Sequence, residues 1–141
     1  MRSEVAERLL RHGAGKLADH RPTTASDRVE SSGPGVLMTA TAHHDGGAAC
    51  FVGFGQKRKR AEVLAQEVVD AMRRWVRADV SVEEHLADQL LLPMALAGGG
   101  SFTTTAPSDH ARTNAATIAE FWDCPVAFEE LGPDRWQVTV G

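Results

Sequence analysis

Residues 60–77 read RAEVLAQEVVDAMRRWVR and carry the clearest helical pattern in the chain. Apolar side chains recur there at three- and four-residue spacing, the period of an amphipathic helix that packs one face on a core. The apolar positions are Val63, Leu64, Val68, Ala71, Met72, Trp75 and Val76. This long stripe predicts a globular domain in which helices cover a sheet.

Helices and strands alternate downstream of this segment. Ser81 opens a capping-box pattern for a second helix, and Ser108 is a natural N-cap for a third. Counted from the strand that contains Cys50, the order is β-α-α-β-α-β-β. It predicts the α/β class, an α+β sandwich with helices packed on one face of a mixed sheet. The two downstream helices are expected to run from Ser81 toward Gly98 and over residues 109–122. The three downstream strands are expected over residues 102–105, 126–129 and 135–140.

Upstream of residue 60 the elements are shorter. A helix over residues 3–11 is expected to stop at Gly13, because glycine is the usual residue just past a helix end. Strands over residues 36–42 and 48–54 are separated by a Gly-rich turn. The two strands therefore predict a β-hairpin.

Composition excludes several classes of protein. No apolar run reaches the roughly 20 residues that span a bilayer, so no membrane association is expected. Cys50 and Cys124 lie too far apart for a zinc or redox motif and predict reduced thiols in a cytoplasmic protein. His43 and His44 are adjacent in a Gly-rich segment, where side chains point apart, so no metal site is expected there.

The basic residues cluster in one short part of an otherwise acidic chain. Residues 57–77 carry seven basic side chains against three acidic ones, whereas residues 78–141 carry two against ten. Cations at a helix start oppose the helix dipole. The run is therefore either a contact for an anionic partner, such as RNA phosphates, or a solvated basic surface. It consists of Lys57, Arg58, Lys59 and Arg60.

A polar cluster lies on the first turns of the second helix. Asp88 and Gln89 follow His85 at three and four residues, so the three side chains share one helix face. An imidazole, a carboxylate and an amide together suit recognition of a nucleobase or a ribose, or orientation of a metal-bound phosphate. A solvated helix face explains the same spacing, and the residues alone leave both interpretations open.

A second cluster begins the third helix, where residues 108–114 read SDHARTN. His110 falls in the first turn, where free backbone N–H groups favour a phosphate and disfavour a charged imidazolium. Asn114, one turn later, is expected to hold the imidazole through a hydrogen bond. Arg112 is expected to add positive charge for a transferring phosphoryl group. A capping or surface histidine explains the position of His110 as well.

Two stretches together resemble the motifs of a known enzyme family. Residues 85–98 read HLADQLLLPMALAG, and with residues 108–114 they resemble the C-terminal motifs of RNA 3′-terminal phosphate cyclases. The spacing between the two stretches also fits. The second motif holds the histidine that is covalently adenylylated in that family, which corresponds to His110.

The resemblance implies a role for each matched residue. His110 would attack the α-phosphorus of ATP, and AMP would then pass to an RNA 3′-phosphate that closes to a 2′,3′-cyclic phosphate. The implied cofactors are ATP and a divalent metal, magnesium or manganese, and the implied partner is RNA with a 3′-phosphate end. Bacterial members carry a tyrosine at the position of His85. The implied nucleotide-binding residues are His85, Leu86, Ala87, Asp88 and Gln89.

The resemblance also implies how the chain is organised. The chain is similar to the C-terminal portion of the family, with residues 1–49 as part of an inserted subdomain and residues 50–141 as the last repeat. The family's N-terminal repeats, or a second copy of this chain, are expected to complete the site. Two alternatives remain: a non-catalytic cyclase-like protein in RNA processing, and an inactive remnant that needs an N-terminal partner.

Overall fold

A computed structural model describes residues 3–141, so the first two residues of the predicted segment 1–49 lie outside it. By its contacts the chain divides into one unit that ends at Arg73 and a second that spans Arg74–Gly141. The assignment of residues 1–49 and 50–141 to a subdomain and a repeat concerns descent and stays a prediction. The elements are α1 (Ser3–Lys16), a 3-10 turn (Ala18–His20), β1 (Leu37–His44), β2 (Gly47–Phe54), α2 (Ala61–Ala78), α3 (Glu84–Ala97), β3 (Gly100–Thr104), α4 (Asp109–Phe121), β4 (Val126–Gly132) and β5 (Arg135–Val140).

The predicted hairpin is present in the first unit. β1 and β2 pair antiparallel from Leu37 opposite Phe54 to His44 opposite Gly47. The backbone N–H of Gly46 donates to Nδ1 of His44 at 3.2 Å and stabilises the turn. One face is apolar and buried, with Met38 and Phe51, while alternate residues face outward.

The first helix is longer than the sequence predicted, because Gly13 does not end it. α1 continues to Lys16, and Gly13 lies inside it and is buried. A Cβ at Gly13 would stand 2.6 Å from the terminal methyl carbon of Met38. Glycine in a helix interior costs about 1 kcal/mol relative to alanine. Here the missing side chain leaves room for Met38, so a tertiary contact overrides the local stop signal.

The amphipathic pattern of residues 60–77 is confirmed as α2. Its buried stripe includes Leu64, Val68 and Met72, whereas Val63 and Val76 lie at the stripe's margins and are exposed. A Cβ at Gly53 would fall 2.6 Å from Val68 and 2.7 Å from Leu64, so β2 packs closely against this stripe. Among the residues that the structure describes, no helix combines the length and hydropathy needed to cross a bilayer.

The second unit is a three-stranded sheet with two helices. The strand order is β3-β5-β4, and both neighbours of β5 run antiparallel to it. One face of the sheet packs on α3 and α4, as predicted. The apolar residues of that core include Leu91, Ala95, Phe102, Ala111, Ala115, Ile118, Val138 and Val140.

The α+β class and the order of elements from residue 50 onward are confirmed. The expected mixed sheet is, in detail, two separate antiparallel sheets, β1-β2 and β3-β5-β4. Within the described residues, the only parallel pairing is one isolated bridge, between Val82 and Thr104.

That bridge changes where α3 begins. Val82 is extended beside β3, and its N–H donates to the carbonyl of Thr103 at 3.0 Å. Ser81 therefore does not cap the helix; its hydroxyl donates to the same carbonyl at 3.1 Å. Glu83 is the N-cap instead, and its carboxylate accepts from the backbone N–H groups of His85 and Leu86.

Candidate active site

Two helix N-termini lie at the same edge of the second unit's sheet. The Val82–Thr104 bridge places the start of α3 beside the last residue of β3. α4 begins at Asp109, one short loop after Thr104. The free N–H groups and positive dipole ends of both helices are therefore directed to the same region, which favours an anion.

Asn114 and Asp88 join the two helices. The Asn114 Nδ2 atom donates to the Asp88 carbonyl at 3.2 Å and to the Asp88 Oδ1 at 3.1 Å. Both partners can only accept, so they fix the orientation of the amide. The structure therefore directs the Asn114 Nδ2 donor to Asp88, and it shows no hydrogen bond from Asn114 to the His110 ring among the described residues; a contact between these two side chains stays a prediction.

The two histidines stand at matching positions. His85 and His110 are each the second residue of their helix, and both are exposed. His85 precedes Asp88 by three residues and His110 precedes Asn114 by four, so each ring lies one turn toward the helix start from the link. Neither imidazole has a hydrogen-bond partner among residues 3–141, which leaves both accessible to a substrate.

The two helix starts differ in charge. Glu83, only 8% exposed, already places a carboxylate on the N–H groups at the start of α3. α4 is capped by the neutral Ser108, as predicted, whose hydroxyl accepts from the Ala111 N–H at 3.2 Å. An incoming phosphate is therefore favoured at the start of α4, beside His110.

The five predicted nucleotide-binding residues do not all reach the surface. Ala87 is 3% exposed and belongs to the hydrophobic core. His85 and Gln89 are exposed, and Asp88 is partly so. Leu86 is exposed as well, at 37%, so every one of the five except Ala87 presents side-chain surface to a ligand.

Arg112 lies apart from His110. Residues two positions apart on a helix point in nearly opposite directions. The Arg112 guanidinium stands over the rings of Phe128 and Trp136, 5.4 Å from each centroid. The predicted β4–β5 hairpin places residues 128 and 136 on the same face of the sheet, but the sequence did not predict their contact with Arg112.

The basic run belongs to the first unit and is partly neutralised. It forms a turn before α2, not its first helical residues, with Arg58 at φ 71°. Lys59 pairs with Glu67, and Arg60 Nε is 3.6 Å from a carboxylate oxygen of Glu62. Lys57 is exposed, as is Arg58, and no ion pair within the described chain involves either of them.

Side chains that commonly bind metals do not cluster in the part of the chain that the structure describes. Among the described residues there is no group of three His, Cys, Asp or Glu side chains that could hold a metal ion. The residues that the structure describes therefore do not form, by themselves, a binding site for the implied divalent metal.

Residues 10–128 match the family model described as RNA 3′-terminal phosphate cyclase. The chain belongs to this family. It is similar to the RNA 3′-terminal phosphate cyclase of Pseudomonas fluorescens, with 42% identity over 135 residues, 95% of this chain and 40% of that protein. The cyclase of Ectopseudomonas mendocina is 51% identical over 71 residues, 50% of this chain and 21% of that protein. The chain thus spans well under half the length of these cyclases.

Proposed function

We propose that this chain carries the nucleophilic histidine of an ATP-dependent RNA 3′-terminal phosphate cyclase that acts in the cytoplasm. The observation that carries the proposal is the position of His110. Its ring is exposed in the first turn of α4, where a neutral serine cap leaves the helix start open to a phosphate. Family membership supports the same chemistry.

The proposed reaction has three displacements at phosphorus. The Nε2 lone pair of neutral His110 attacks the α-phosphorus of ATP; an N–P bond forms and pyrophosphate leaves as the Pα–O bond breaks. An oxygen of the RNA 3′-phosphate then attacks the same phosphorus and releases His110. Finally the adjacent 2′-hydroxyl attacks the RNA phosphorus, loses its proton, and displaces AMP to leave the 2′,3′-cyclic end.

The residues beside His110 would hold the nucleotide. The Asp88 Oδ1 accepts from Asn114, while its other carboxylate oxygen stays free of protein donors within the described residues and can accept from a ribose hydroxyl. His85 offers a ring for the base, and Gln89 an amide on the same face. Histidine stacks over less area than the tyrosine of bacterial members, so selectivity for adenine is expected to be weaker.

The RNA and the other parts of the site are also proposals. Lys57 and Arg58, the cations of the basic run that form no ion pair within the described residues, are proposed to contact RNA phosphates. ATP is expected to arrive with magnesium or manganese bound to its phosphates. The N-terminal repeats of the family, or a second copy of this chain, are proposed to contribute the remaining contacts.

Labelling of the protein from ATP tests this proposal. The chain is incubated with α-labelled ATP and magnesium or manganese, alone and with the N-terminal part of a related cyclase. Acid-labile, alkali-stable label on the protein is expected, together with cyclic ends on added RNA 3′-phosphate. His110→Ala should abolish the label, whereas His43→Ala, which removes an exposed histidine of β1, should retain it.

Each arm of the assay separates one alternative. Label that appears only with the added N-terminal part identifies a chain that depends on a partner. RNA binding without label in either arm identifies a non-catalytic cyclase-like protein. Absence of both label and RNA binding in the complete mixture would contradict the proposed function.

A further inference from the structure

We propose that Arg112, Phe128 and Trp136 form a stacking site for a nucleobase near the 3′ end of the RNA. The inference rests on the proposed function, because it assumes that RNA reaches this edge of the second unit. It deepens that function by assigning a substrate contact to three residues that hold no role in the reaction at His110.

The guanidinium of Arg112 is held by two rings. Phe128 lies opposite Val138, and Trp136 lies two residues before Val138 on the adjacent strand, so the two rings are diagonal neighbours on the helix-facing side of the sheet. The guanidinium carbon is 5.4 Å from both ring centroids. These contacts favour one placement of the planar cation before any ligand arrives.

The three residues Arg112, Phe128 and Trp136, here called the platform, are accessible to solvent. Arg112 is exposed, and both rings are half-buried. Arg74 and Arg135 of the same unit pair with carboxylates, but within the described residues no carboxylate lies within ion-pair distance of Arg112. The exposed guanidinium is therefore not occupied by an ion pair within the described residues and can meet a ligand.

The chemistry favours a base over a run of phosphates. Single-stranded RNA is commonly recognised by stacking of bases on aromatic rings and on arginine planes. Asp109 precedes Arg112 by one helical turn, and Glu130 lies directly opposite Trp136 on the same face of the sheet. These carboxylates disfavour an extended phosphate contact, whereas a neutral base can stack beside them.

The position fits a nucleotide close to the reacting end. Arg112 follows His110 by two residues, which places their Cα atoms about 5.4 Å apart on the same helix, with side chains on opposite sides. A helix with its side chains is about 10–12 Å wide, the length of about three stacked nucleotides. The base on the platform is therefore one of the last few of the RNA.

Binding of a fluorescent single-stranded RNA with a 3′-phosphate tests the inference without ATP, so it does not depend on catalysis. Arg112→Leu keeps an apolar side chain on the two rings but removes the charged plane. It should weaken binding about tenfold. Arg112→Lys keeps the charge without the plane and should lose most of the same affinity. The matched control is Arg135→Gln, a partly exposed arginine beside Trp136 that pairs with Asp79; it should bind as the parent does.

An RNA with an abasic residue at each of its last three positions locates the stacked base. At one position the parent chain should lose about tenfold in affinity, and Arg112→Leu should lose no more. The inference is overturned if the parent and Arg112→Leu bind the RNA with equal affinity, or if neither binds RNA. It is also overturned if, at every position, the loss of affinity from the abasic residue adds in full to the loss from Arg112→Leu. If ATP labels His110 but substitution of Arg112 does not change the affinity for RNA, the inference fails and the proposed function stands. If RNA binding depends on Arg112 but ATP labels no residue of the chain, the inference stands and the proposed function fails.

Discussion

Asn114 on α4 donates its side-chain amide to both the carbonyl and the carboxylate of Asp88 on α3, at 3.2 and 3.1 Å. This contact joins the two stretches that matched the cyclase motifs and aligns the helix turns that carry His85 and His110. Both partners are partly buried, so the hydrogen bonds are shielded from water.

Asn114→Ala is expected to lower the free energy of unfolding by about 1–2 kcal/mol, because it leaves the Asp88 acceptors without their donor. Asn114→Asp should cost more, since it sets two carboxylates against each other. Urea unfolding measures both variants. Thr113→Ala, an exposed neighbour on the same helix, should change the value by less than about 0.5 kcal/mol. Equal values for Asn114→Ala and Thr113→Ala would show that the link does not stabilise the pair.

The cap of α3 leads to a second prediction. Glu83 is buried, and its carboxylate accepts from two backbone N–H groups of the first turn. Glu83→Ala should destabilise the protein by about 1 kcal/mol, whereas Glu83→Asp should retain most of the stability because aspartate is a preferred N-cap. Thermal unfolding compares the two. If Glu83→Ala and Glu83→Asp lower the stability by similar amounts, the length of the glutamate side chain, and not its capping of the helix, accounts for the stabilisation.

Two buried hydroxyls lie at the end of β3. Thr104 is 0% exposed, and no hydrogen-bond partner for its Oγ1 lies within the described residues; the same holds for the Oγ1 of Thr105. Thr104→Val should leave the free energy of unfolding unchanged or raise it, by up to about 2 kcal/mol, because it removes an unpaired polar atom. Thr104→Ser, which keeps the hydroxyl and removes a methyl group, should lower it by about 1 kcal/mol. A loss in Thr104→Val larger than that in Thr104→Ser would indicate an unrecognised partner for the hydroxyl.

In the first unit, an ion pair between Arg8 and Glu62 changes the pKa of the Glu62 carboxyl group. Arg8 donates to both carboxylate oxygens of Glu62 at 2.8 Å, and this hydrogen bonding is the main cause that holds the pKa of Glu62 below its ordinary value of 4.5. Arg8→Ala should raise the pKa of Glu62 toward that value. The carboxyl resonance of Glu62, followed by NMR from pH 2 to 7, measures the change, and Arg11→Ala on the same helix is the control.

The sign of the effect on stability follows from the lowered pKa. A carboxyl whose pKa is depressed in the folded state contributes stability above its unfolded pKa, and loses it as the pH falls through the folded pKa. The parent protein should therefore lose this contribution only on acidification below pH 4.5, and Arg8→Ala should show a smaller loss over the same range. Identical acid profiles would contradict this assignment.

Features set by neighbouring residues could be predicted from the sequence, and features set by tertiary contacts could not. The helix α2 and the Ser108 cap depend on spacing within one segment and were predicted correctly. Gly13 does not end α1, because Met38, from a distant strand, fills the space of the absent side chain. Ser81 does not cap α3, because Val82 pairs with Thr104 across the sheet.

The same division applies to the candidate site. The shared face of His85, Asp88 and Gln89 follows from helical spacing alone. The partner of Asn114 could not be found that way, because its acceptor lies 26 residues away on another helix. Arg112 was expected beside the phosphoryl group, but two aromatic rings from a hairpin hold it on another side of α4.

The most direct test of the proposed function is the identity of the residue that receives AMP. After incubation with ATP, magnesium or manganese and the N-terminal part of a related cyclase, mass spectrometry of peptides prepared at alkaline pH should locate the nucleotide on His110 and not on His85. AMP on His85, on a lysine, or on no residue of this chain would contradict the role proposed for His110.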